Sequence, residues 1–64
     1  MFIELTNFDD VRVLINVHEI IYIEFADSGS TLFFKNGGTL EVQEKEKSIY
    51  DLISNIAKTN KYWG

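Results

Sequence analysis

The chain has 64 residues, of which 45% are hydrophobic and 25% charged, with no proline, no cysteine and a formal net charge of −4. That length makes one domain, residues 1–64, and the composition is too apolar for a disordered chain. The lack of cysteine excludes a disulfide staple and a thiolate metal site, and the acidic balance opposes contact with a phosphate backbone, so no nucleic-acid partner is expected.

Residues 2–6, "FIELT", alternate as a first strand, with Ile3 and Leu5 on one face and Phe2 on the other. "NFDD" supplies turn formers whose side chains satisfy the backbone locally. Residues 11–15, "VRVLI", read as a second strand with Val11, Val13 and Ile15 inward and Leu14 outward. Asn16 to Glu19 form a short irregular link. Residues 20–25, "IIYIEF", are β-branched and aromatic, and strict alternation turns Ile21, Ile23 and Phe25 inward and Ile20 and Tyr22 outward. "ADSG" fits a short hairpin loop in which Gly29 supplies the left-handed residue. Residues 30–34 return with Leu32 and Phe34 inward and Phe33 outward. In "KNGG", Asn36-Gly37 is a strong hairpin signal, and residues 39–42, "TLEV", end the sheet with Leu40 and Val42 inward.

The hydrophobic period then changes. "QEKEK" reads as a solvated connector. Ser48 with Asp51 resembles a capping pair, and Ile49, Leu52, Ile53, Ile56 and Ala57 fall on one helical face. The spacing predicts a helix over 49–58, with Lys58 and Lys61 suited to its negative end. The expected fold is α+β and mostly β: a curled antiparallel five-stranded sheet, with one C-terminal helix on its concave face. The expected core is Ile3, Leu5, Val11, Val13, Ile15, Ile21, Ile23, Phe25, Leu32, Phe34, Leu40, Val42, Leu52, Ile53 and Ile56.

On this parity the outward face carries Phe2, Leu14, Ile20, Tyr22 and Phe33, more apolar than the solvent face of an ordinary antiparallel sheet. Exposed apolar area of this kind marks an interface, unless the sheet rolls into a small barrel that buries part of both faces or the side chains scatter, and the amphipathic pair Tyr62-Trp63 either folds back on the core or anchors a partner. These seven residues are the candidate interface. A chain this small, without a disulfide or metal staple, gains most from self-association, and a dimer is the expected state. The longest apolar run, Ile20 to Ile23, is far short of a membrane span, and "MFIELT" lacks a signal-peptide layout, so a cytoplasmic protein without membrane insertion is expected.

Catalytic chemistry has little to build on. His18 is the only imidazole and lies in a link with no evident orienting partner, so it reads as a surface residue. Asp9-Asp10 and Asp27 with Ser28 lack the ordered oxygen spacing of a calcium loop. Gly37-Gly38 precedes a strand rather than a helix, so it turns a hairpin and does not cradle phosphate. The expectation is a non-enzyme with no cofactor and no metal.

The frame "IELT", "INVHEIIYIE" and "TLFFKNGGTLEV", followed by an acidic link and a short amphipathic helix, resembles the small FlbD/SwrD family of flagellar and swarming-motility proteins. Ile3, Leu5, Thr6, Asn16, Ile20, Ile23, Glu24, Asn36, Gly37 and Val42 carry the likeness. The chain departs from that family at "NFDD", where Asn-Gly is usual, at the extra Gly38, and in three residues inserted before Ser48. "EIIYIE" is also similar to a phrase in the DNA-binding LytTR domain, but the acidic loops here oppose phosphate. The resulting expectation is a small acidic protein-interaction module, either a motility-type accessory protein or a phage-encoded inhibitor docking on a host protein. The alternative is a small-ligand binder with a pocket between subunits, edged by Asn36, Lys35, Tyr22 or Thr31.

Overall fold

The computed structural model describes residues 1–59, with side chains described through Ile56. Strands β1 (Phe2–Thr6), β2 (Arg12–Asn16), β3 (Ile20–Ala26), β4 (Gly29–Phe34) and β5 (Thr39–Val42) precede a helix, α1 (Glu46–Thr59). The fold is α+β and mostly strand, but the five strands form two antiparallel sheets rather than one: a β1–β2 hairpin and a β3–β4–β5 meander.

The break lies between β2 and β3. Asn16 accepts the backbone N–H of His18 on its side chain at 3.1 Å, starting a single 3₁₀ turn over Val17–Glu19 that redirects the chain. The two sheets touch at the other end, through the isolated bridge Asn7↔Val42 and the bond from Gln43 N–H to the Thr6 carbonyl at 2.8 Å. The connector after β5 tightens this seam. Glu44 Oε1 accepts the Thr6 N–H at 2.9 Å, while the Glu44 carbonyl accepts from buried Ser30 Oγ at 2.7 Å. Gln43 Nε2 donates to the Asn7 carbonyl and to Asp10 Oδ1. The first two residues of "QEKEK" are therefore part of the structure, not a solvated link.

The core is Ile3, Leu5, Leu32, Val42 and Ile49, with Val13, Ile15, Val17, Ile20, Ile23, Phe34, Leu40, Leu52, Ile53 and Ile56 packed around it. Three of the expected core residues are exposed instead: Val11, Ile21 and Phe25. Val11 precedes β2 and belongs to the β1–β2 turn, where its N–H is held by Asn7 Oδ1. Ile21 is displaced by a register shift. Ile20 pairs with Phe34 and Tyr22 with Phe33, leaving Ile21 as the extra residue of a β-bulge. The bulge reverses the parity of the strand start, so Ile20 packs on the core and Ile21 turns out. Phe25 keeps its inward parity but reaches the open flank beside α1.

The β3–β4 loop is tighter than "ADSG", because Ala26 pairs with Gly29 and only Asp27-Ser28 turn. Gly29 is needed for close approach: a Cβ there would lie 2.2 Å from the Val42 carbonyl oxygen. Gly37 does adopt a left-handed conformation, at φ 90°, in the β4–β5 turn. The helix begins three residues before the expected start. The Lys45 carbonyl accepts the Ile49 N–H, so Ser48 lies within the first turn and is not a cap. That extra turn brings Ile49 into the core at 1% exposure.

Candidate functional site

The described residues expose nine large hydrophobic side chains, against five apolar residues that are buried. Strand parity places Phe2, Leu14 and Tyr22 among the nine. On the outer face of the hairpin sheet, Phe2 and Leu14 flank the ion pair of Arg12 Nη2 with Glu4 Oε1, at 2.6 Å. On the outer face of the meander, Tyr22 and Phe33 are direct register partners and their rings stack at 4.4 Å between centroids, 10° from parallel.

Four of the seven candidate interface residues therefore face outward as expected, in two pairs on different sheets. Ile20 is half-buried: the bulge packs it against the core, and it also lines the groove between β3 and α1. Tyr62 and Trp63 lie outside the described residues.

A second apolar surface begins where the Tyr22–Phe33 stack ends. β3 has β4 as its neighbour on one side and no strand on the other among the described residues. Along this free edge, Ile21, Tyr22 and Phe25 line a groove of about 320 Å³ whose far wall is Ile49, Tyr50 and Ile53 of α1. Phe25 and Tyr50 bridge its floor and wall, ring centroids 5.8 Å apart. Beyond Phe25 the groove opens into a charged hollow walled by Asp27, Lys45, Glu46 and Lys47. Apolar surface thus runs from Phe33 over the strand edge to the helix, with charges of both signs at one end.

Alternation alone hides this groove. It depends on the bulge that pushes Ile21 out and on the early helix start that sets Tyr50 opposite Phe25. "IIYI" carries the side chains, but nothing in those four letters places an extra residue against β4.

The residues proposed for polar recognition are used locally or dispersed. Asn36 Oδ1 accepts the Gly38 N–H at 2.8 Å within its own turn, and Lys35 donates its backbone N–H to the Glu19 carbonyl. His18 is exposed on the 3₁₀ turn. Among the described residues no group of three His, Asp or Glu side chains is arranged to hold a metal ion, and no helix is long and apolar enough to cross a membrane. No protein-family model, curated protein or solved structure matches the chain.

Proposed function

We propose that the chain is a non-enzymatic, acidic protein-interaction module that self-associates and acts by binding a protein partner through exposed apolar surface. The observation that carries this reading is that nine large hydrophobic side chains stand exposed in so small a domain. Soluble monomers rarely leave contiguous apolar patches of several hundred Å² uncovered. A cytoplasmic setting and a role as a motility-type accessory protein or phage-encoded inhibitor belong to the same proposal, the first from the cysteine-free composition and the others from the likeness and size of the chain.

A second reading has one observation in its favour. The β3–α1 groove, at about 320 Å³, falls at the lower end of the size range of small-ligand pockets and is lined by apolar side chains. Native mass spectrometry of the protein purified from cells separates the two. A dimer or a heteromeric protein complex supports the interaction module. A monomer carrying a small retained mass overturns it in favour of the ligand binder.

A further inference from the structure

The free edge of β3 combines three features found together nowhere else among the described residues. It is a strand edge with no neighbouring strand, it lies beside an apolar groove, and it is continuous with the stack of exposed Tyr22 on half-buried Phe33. We propose that this surface is where two copies of the chain meet across a two-fold axis, with Ile21 and Tyr22 of each seated against the Phe25–Tyr50 groove of the other. The proposal rests on the self-association reading above and specifies its surface.

Area supports a second copy as the occupant. Tyr22, Phe25 and Tyr50 are 50%, 37% and 58% exposed, and Ile21 is 62% exposed. With roughly 150–250 Å² available on each aromatic, these four residues present roughly 400 Å². A stable contact buries about 800 Å² per partner, somewhat over half of it apolar. The patch thus provides most of the apolar centre of one such contact. A two-fold contact also needs a projection and a recess on the same surface, and the exposed Ile21 on the groove's wall and the recess between Phe25 and Tyr50 are that pair.

Charge points the same way. Two chains of net −4 repel unless their contact brings cations to anions. The margins of this surface carry both signs. Lys45 and Lys47 stand with Asp27 and Glu46 at the Phe25 end, where Lys47 also pairs with Asp51 within the helix. A two-fold axis can set the acids of one margin near the lysines of the other.

The geometry also limits the assembly. A bulge twists a strand edge away from simple ladder extension, so the bulge at Ile21 disfavours open-ended strand addition. Side-chain docking about a two-fold closes as a dimer, whereas a head-to-tail contact would propagate.

Light scattering across a dilution series from about 1 to 100 μM, the range in which a specific contact of this size forms, tests the proposal with four proteins: wild type, Ile21→Glu, Tyr50→Glu and Leu14→Glu. All three substituted residues are exposed, so each variant should keep the wild-type circular dichroism. The expected result is a wild-type dimer whose dissociation constant rises at least about 30-fold in Ile21→Glu and Tyr50→Glu, the scale of a central interface residue. Leu14→Glu, on the other sheet, should dimerise like wild type. A wild-type dimer indifferent to Ile21→Glu and Tyr50→Glu but split by Leu14→Glu overturns this surface and leaves self-association standing. A wild type monomeric at about 100 μM overturns both.

Discussion

Glu44 reaches from the end of the meander to the hairpin sheet, its Oε1 accepting the Thr6 backbone N–H at 2.9 Å. The same residue's carbonyl accepts a hydrogen bond from the Ser30 hydroxyl at 2.7 Å, so one side chain and one peptide group of the connector tie β1 to β4. Among the described residues the two sheets share one isolated bridge, and Glu44 together with Gln43 supplies further hydrogen bonds across the seam.

Removing the Glu44 carboxylate leaves the Thr6 N–H without its partner in a half-buried seam. Glu44→Ala should lower stability by about 1–3 kcal/mol, the cost of an unsatisfied buried donor. Glu44→Gln keeps an acceptor oxygen and should lose less. Urea denaturation of the three proteins gives the order directly, and equal midpoints for wild type and Glu44→Ala would show that the seam does not depend on this bond.

The bulge in β3 separates two neighbouring isoleucine environments that strict alternation would assign differently. Ile49→Ala, at a fully buried helix position, should cost about 2–5 kcal/mol, enough to unfold most of so small a domain. Ile21→Ala should change stability by no more than about 0.5 kcal/mol, as expected of an exposed site. A large loss at Ile21 in dilute, monomeric protein would place that side chain in the core and remove the bulge.

Gly29 and Gly37 both have positive φ, but only Gly29 also meets a close backbone contact, and alanine tells them apart. At Gly29 a Cβ would lie 2.2 Å from the Val42 carbonyl, so the β4–β5 pairing must shift; the loss should reach about 3 kcal/mol or more. At Gly37 the space is open and only the left-handed backbone opposes a side chain, a cost of about 1–2 kcal/mol. Thermal melts should show the larger drop for Gly29→Ala, and the reverse order would contradict the close approach.

Tyr22 and Phe33 stack as register partners, and a double-mutant cycle to alanine should return a coupling of about 0.5–1.5 kcal/mol. His18→Ala, by contrast, should leave folding and oligomeric state unchanged. A folded His18→Ala protein that has lost binding would reveal a role for the imidazole that its exposed position does not suggest.

Much of the fold was legible from local patterns. The two-residue period placed Ile3, Leu5, Leu32 and Val42 in the core, and the helical period found the face that α1 packs. Asn36-Gly37 marked its turn. The failures have two physical causes, one a short local turn set by Asn16 and the others contacts between distant segments. The 3₁₀ turn that splits the sheet is three residues long, the bulge at Ile21 exists only relative to β4, and Glu44 looks like any charge in an acidic run until Thr6 is placed beside it. Strict alternation misplaces Ile20 and Ile21 for one reason, an extra residue in the strand.

The measurement that bears most directly on the proposed function is sedimentation equilibrium of the wild-type chain from about 1 to 100 μM, the range in which a specific contact is populated. The account predicts a weight-average mass that rises with concentration from 7.4 kDa and levels off at twice that value. A mass of 7.4 kDa at every concentration would contradict it, leaving the exposed apolar surface of β3 and α1 without a second copy to cover it.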